Sequence, residues 1–115
     1  MTSATHSMIA EKQLVDAKKG QVIINVGRGK LIDEEALVAA LQCDIISGAA
    51  LDVFAEEPLP TSSGLWLLPN VLISPHNADM VQNFRHKSVD LFVENCSRFL
   101  NEEELLNVVD VHSGY

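Results

Sequence analysis

Val22-Ile23-Ile24-Asn25-Val26-Gly27-Arg28-Gly29 sets the architecture of this chain. Its first five residues form a short, nearly continuous β-branched run bounded by glycines, the pattern of a strand buried on both faces. Upstream, Glu11 to Lys18 reads as a short helix with Leu14 and Val15 on one side. Gly20 suits its C-terminal cap, behind the dipole-favoured charges of Lys18 and Lys19. Downstream, Asp33 is placed to cap a second helix through Gln42, with Glu34 and Glu35 in its first turn and Leu37, Val38 and Leu41 as its apolar face.

Further out, Ser47 to Val53 reads as a second strand and Val71 to Ser74 as a third. Between them lies a long loop, 54–70, punctuated by Pro58, Pro60, Gly64 and Pro69. From Asp79 to about Leu100, apolar residues recur at three- and four-residue steps (Met80, Phe84, Leu91, Phe92, Phe99), the pattern of a long helix, with Glu94 and Arg98 as an i,i+4 pair. Asn107 to Tyr115 reads as extended. Strand, helix, strand, loop, strand, helix is the grammar of a parallel α/β sheet. Three strands alone would leave both edges and much of both faces open, so the sheet is expected to be part of a larger one.

Composition narrows the function. The 115 residues are 47% hydrophobic and 21% charged, as in ordinary globular domains. Eight basic against 16 acidic side chains give a net charge of −8, which disfavours a phosphate backbone as partner. No apolar run approaches the roughly 18 residues that cross a bilayer. No secretory or organelle-targeting pattern is present, and a cytoplasmic location is expected. Cys43 and Cys96, the two cysteines, are well separated, which points to a reducing compartment and to core packing. Asn95-Cys96-Ser97 matches a glycosylation sequon by chance, inside a helical pattern. No His/Cys spacing resembles a metal site.

Ligands of open α/β sheets bind at the carboxyl ends of the strands. Three polar groups fall there: Arg28 after the first strand, Asp52 at the end of the second and His76 just after the third. Glu57 follows in the loop leaving the same rim. A guanidinium between two glycines can grip a carboxylate with paired hydrogen bonds, or it is simply a surface Arg in a glycine-rich turn. An imidazole can exchange protons near neutrality, with Glu57 fixing its tautomer, or it is a strand-end His bonded to backbone. Asp52 ends an apolar strand, where its charge needs a ligand amide or a backbone cap. Gly27-Arg28-Gly29-Lys30-Leu31-Ile32 begins like a dinucleotide fingerprint, but Ile32 stands where the third glycine belongs. His6, His86 and His112 have no such setting and read as surface residues.

Taken together, N-V-G-R-G at 25–29, G-A-A-L-D-V-F-A-E-E-P-L-P at 48–60, L-P-N-V at 68–71 and S-P-H at 74–76 resemble the D-isomer-specific 2-hydroxyacid dehydrogenases in order and spacing. H-N-A-D at 76–79 is similar to the glyoxylate/hydroxypyruvate reductase side of that family. The resemblance implies a partial Rossmann-type, doubly wound parallel sheet over 1–78. It implies a linking helix and tail over 79–115 that would pack on a substrate domain. It implies NAD or NADP as cofactor, a small 2-keto or 2-hydroxy acid as substrate and a homodimer as the full-length form. Arg28, Glu57 and His76 would be catalytic: Arg28 binding the substrate carboxylate, His76 acting as acid/base, Glu57 orienting His76. Thr5, Val26, Gly27, Arg28, Asp52 and His76 would line the cofactor, with Asp52 at the nicotinamide carboxamide. The family's G-x-G-x-x-G turn is not among these residues. The chain is therefore expected to be a C-terminal portion and inactive alone. An NAD(H)-sensing corepressor-like module and an inert truncated product are the alternatives.

Overall fold

The structure is a computed structural model and describes residues 3–80 and 82–112. It divides into two compact units, Met1–Ala78 and Asp79–Tyr115.

The first unit is built on three parallel strands in the order β1-β2-β3: β1 Val22–Asn25, β2 Gly48–Leu51 and β3 Val71–Ile73. The register pairs Ile23 with Ala49 and Asn25 with Leu51 across β1 and β2, and Leu51 with Ile73 across β2 and β3. Alternation then sorts side chains by face. Ile23, Ala49, Leu51, Val71 and Ile73 join one apolar cluster with Leu14 of α1 (Glu11–Val15) and with Leu37, Ala40 and Leu41 of α2 (Glu34–Gln42). Burying each large aliphatic of this cluster is worth about 1.5–3 kcal/mol. Asp33 caps α2 as expected, its Oδ1 accepting from Ala36 N at 3.1 Å.

The opposite face corrects the expectation for β1. Val22, Ile24 and Val26 are exposed, Ile24 at 72%, as is Leu72 on β3. The run is apolar on both sides, as a doubly covered strand is, but α1 and α2 lie on one side only. Helix α1 is also shorter than expected, ending at Val15 with Asp16 as its C-cap. Gly20 does adopt the positive φ of +86° that suits it, but in the turn entering β1 rather than as a helix cap. Cys43 is exposed, not in the core. It follows α2 two residues beyond Leu41, about 200° around the helix from that buried position.

The second unit contains α3, Phe84–Leu100. It starts later than the apolar spacing suggests because Asn83, with φ +68°, lies in the left-handed region and cannot continue a helix backwards to Asp79. No α3 residue is fully buried, and Cys96 is exposed, so it too departs from core packing. The Glu94–Arg98 pair forms at 2.8 Å. Residues 101–106, ahead of the stretch expected to be extended, fold back along the helix. Asn95 exchanges two hydrogen bonds with the Leu106 backbone (3.1 and 2.8 Å), Arg98 donates to Glu104 O, and Asn107 turns with φ +55°. Ser113 to Tyr115, the end of the expected extended tail, lies outside the described residues. Among the described residues no helix is long and apolar enough to cross a membrane.

Candidate functional site

The parallel register brings the carboxyl ends of all three strands to one rim, and the residues singled out by their positions meet there. Two contacts set the rim's floor. A β-carbon on Gly29 would stand 1.9 Å from the Phe54 carbonyl carbon, so the turn carrying Arg28 lies directly against the backbone leaving β2. Glu34 at the start of α2 accepts from Ala55 N at 2.5 Å. Gly29 is thus glycine because another piece of backbone occupies the space, not because a ligand does. Gly27 differs. A β-carbon there would meet Leu31 and Asn25 only at ordinary distances of 3.5 and 3.6 Å, so nothing in this chain's own packing requires glycine.

Glu57 is held by the turn it belongs to. Its Oε1 accepts from Phe54 N at 2.9 Å and its Oε2 lies 2.7 Å from His76 Nδ1. Those bonds, the backbone one first, hold its carboxyl below the usual range. The bond to Glu57, and then its charge, raise the affinity of His76 for a proton, while Arg28 nearby works the other way. An ionised carboxylate can only accept, so Nδ1 carries the hydrogen and Nε2 is left for other partners. His76 remains half exposed at 49%. The strand-end alternative, an imidazole bonded to backbone, is not what the geometry shows. Phe54, Pro58, Leu59, Trp66 and Ile73 line a cavity of about 470 Å³ beside the pair, with Glu57 and His76 on its wall.

Asp52 is 3% exposed, and both of its carboxylate oxygens are bonded. Oδ1 accepts from the Ser74 hydroxyl at 2.5 Å and from Asn77 N at 3.0 Å, and Oδ2 from Ala78 N at 2.8 Å. Its carboxyl is lowered chiefly by Ser74, then by Asn77, with burial opposing. It therefore does cap backbone, and Oδ2 accepts one bond where a carboxylate oxygen can accept two. Arg28 is exposed and folds one guanidinium nitrogen onto Gly27 O at 2.7 Å. Thr5 ends a 3₁₀ turn, and the residues after it run beside the Arg28 turn, with Ser7 N on Lys30 O and Ile9 N on Leu31 O. Val26 offers exposed apolar surface next to Gly27. His6, His86 and His112 are on the surface. Among the described residues no group of three or more His, Cys, Asp or Glu could hold a metal ion.

Two participants escaped sequence reasoning. The Phe54 amide that fixes Glu57 has no side-chain signature. Ser74 did have one: Leu51 pairs with Ile73, so the next residues, Asp52 and Ser74, face each other at the strand ends.

The family model for the D-isomer specific 2-hydroxyacid dehydrogenase NAD-binding domain matches residues 1–78. Glyoxylate/hydroxypyruvate reductase B of Yersinia enterocolitica is 45% identical over 95 residues, 83% of this chain and 29% of that protein. A D-isomer specific 2-hydroxyacid dehydrogenase from Xanthobacter autotrophicus Py2, solved with NADPH and MES, superposes with a TM-score of 0.90 at 40% identity over all of this chain and 47% of its own. An NADPH-dependent glyoxylate/hydroxypyruvate reductase from Sinorhizobium meliloti, solved with NADP and sulfate, also gives 0.90, at 29% identity over all of this chain and 37% of its own. The chain thus spans less than half the length of the relatives it matches.

Proposed function

The chain belongs to the D-isomer specific 2-hydroxyacid dehydrogenase family through its NAD-binding domain, and from that premise we propose that it supplies the acid–base side of an NAD(P)-dependent reduction of a small 2-keto acid of the glyoxylate or hydroxypyruvate kind. The observation that carries this reading is the 2.7 Å bond between His76 Nδ1 and Glu57 Oε2 at the carboxyl rim of the sheet. It fixes the tautomer, leaves Nε2 as the proton-bearing atom toward substrate, and keeps the ring protonated to higher pH than a lone histidine.

Nicotinamide cofactor, when bound, supplies the hydride. His76 Nε2 donates the proton that the substrate's carbonyl oxygen needs as it becomes a hydroxyl. Such a transfer is worth about 10²–10⁴-fold in rate. Arg28, swinging off Gly27 O, clamps the substrate carboxylate and polarises the neighbouring keto group. Glu57 holds His76. The residues present fit a dinucleotide: this chain's own packing does not require the glycine at Gly27, Val26 offers an apolar surface, Asp52 Oδ2 would take a carboxamide hydrogen, and Thr5 would line the cofactor with them. The preference between NAD and NADP is not carried by these residues.

The complete protein is proposed to be a cytoplasmic homodimer acting on a small molecule, with neither nucleic acid nor membrane as partner, in keeping with the acidic balance of these 115 residues. The 115 residues by themselves are proposed to be inactive, since they contain no glycine-rich pyrophosphate turn. The reading is tested by grafting the chain into the Yersinia enterocolitica reductase in place of the matching segment. The graft should oxidise reduced cofactor with glyoxylate or hydroxypyruvate, and His76→Gln should lower turnover by about 10²-fold or more while leaving cofactor affinity. Wild-type turnover in the His76→Gln graft would remove the acid–base assignment. A graft that binds cofactor and never reduces a keto acid would favour a sensing module.

A further inference from the structure

We propose that Ser74 is a positioning residue: its hydroxyl, bonded to Asp52, fixes the turn from Ser74 to Ala78 and with it the direction in which His76 presents its imidazole. The inference rests on the reading of His76 as the acid–base group, but its test does not.

His76 has φ +50°, a backbone region that a residue with a β-carbon rarely adopts. Its neighbours must hold it there. The donors that do so flank it on both sides, Ser74 before it and the amides of Asn77 and Ala78 after it, and all three converge on the buried Asp52 carboxylate. That carboxylate sits at the end of β2, directly opposite Ser74 in the register that pairs Leu51 with Ile73. The turn is therefore riveted to the central strand rather than left as a surface loop. The Ser74 bond is the shortest of the three at 2.5 Å, in the range of a hydroxyl donating to an ionised oxygen. It also orients the acceptor. With the hydroxyl gone, Oδ1 keeps only the Asn77 amide and the carboxylate can rotate away from the turn.

The charged groups facing His76 are Glu57 and Asp52, which raise its proton affinity, and Arg28, which lowers it. Removing the Ser74 hydroxyl takes no charged side chain away and leaves the Asn77 and Ala78 amides as donors to Asp52. A change in the His76 titration is therefore read together with exchange at those two amides, which reports the geometry of the turn.

The experiment follows the His76 ring by NMR against pH in the 115-residue chain, alongside amide hydrogen exchange. In Ser74→Ala the His76 midpoint should fall from its raised position toward that of an ordinary histidine. Exchange at Asn77 and Ala78 should quicken roughly tenfold, with Leu37 and Leu41 unchanged. Ser74→Thr, which keeps a hydroxyl, should restore both. If the alanine chain does not fold, Ser74→Cys, nearly the same size and a weak donor, is read in its place. An unmoved midpoint in a folded Ala or Cys variant overturns the proposal. So does a threonine variant that shifts as far as alanine, since size and not the hydroxyl would then matter. None of these readouts needs cofactor or keto acid, so a protein that failed every reductase assay would still decide the role of Ser74.

Discussion

His76 Nδ1 stands 2.7 Å from Glu57 Oε2 across 19 positions of sequence, and the second oxygen of that carboxylate is tied to the Phe54 amide at 2.9 Å. The imidazole is thus anchored through Glu57 to backbone that itself lies against Gly29. A proton on His76 strengthens this chain of contacts, and its loss weakens them.

Stability should follow from that linkage. His76 binds its proton more tightly folded than unfolded. Its contribution is full below its unfolded value of about 6.5 and is lost as pH rises through the raised folded value. Glu57 and Asp52 are shifted down from 4.5 and 3.8. Their contributions are full above those unfolded values and are lost as pH falls through the lowered folded ones. Melting temperature measured against pH should therefore plateau between about pH 5 and about pH 6.5 and decline on both sides. Both partners of the ion pair are partly solvated, so the alkaline decline is shallow. Glu57→Gln should flatten it. An equal decline in that variant would assign the effect to another group.

Gly29→Ala should be severe. The added methyl would fall against the carbonyl carbon and oxygen of Phe54 and the amide of Ala55, all backbone, so no rotamer change relieves it. Either the Arg28 turn or the Phe54–Glu57 turn must move, at a cost of about 1–3 kcal/mol or more. Urea unfolding should show the loss, and NMR should show a displaced His76 ring. Gly27→Ala, with only ordinary contacts, should unfold like the parent. Equal stability of the Gly29→Ala and parent chains would contradict the close approach.

These contacts show what the residues themselves disclosed. The three strands, the Asp33 cap and the meeting of Arg28, Asp52, Glu57 and His76 at one rim were legible, because apolar runs, Gly and Pro breaks and the parallel-sheet rule all act locally or through topology. The exposed face of β1 was not, because Val22, Ile24 and Val26 look identical whether or not a layer covers them. The late start of α3 was hidden in one dihedral angle, at Asn83. Cys43 shows the weakness of composition: a small apolar side chain suits a core, but its place on the helix wheel turns it outward.

Asp33→Ala offers a calibration of local stability. The Asp33 side chain satisfies one otherwise open amide at the start of α2, and α2 carries the largest share of the helical core residues. The substitution should cost about 1 kcal/mol, read as a lower urea midpoint at unchanged slope. Asp33→Ser, which keeps an acceptor, should recover most of it. A loss in the serine variant as large as in alanine would point to charge rather than capping.

On the proposed reading, Arg28 gives the sharpest test of substrate binding against cofactor binding. Its guanidinium is exposed and donates to the carbonyl just before it, Gly27 O, at 2.7 Å, a bond it must give up to close around a carboxylate. Lysine at this position would keep the charge but not the two parallel donors that match a carboxylate's geometry. In the grafted reductase, Arg28→Lys should raise the KM for keto acid by about tenfold with a smaller loss of kcat, because charge without the fork still attracts but no longer aligns. Arg28→Ala should lower kcat/KM by about 10²–10⁴-fold, since both attraction and polarisation go. Cofactor affinity, measured separately by fluorescence or calorimetry, should change little in either. A variant whose cofactor affinity falls in step with its kcat/KM would move Arg28 from the substrate side of the site to the cofactor side.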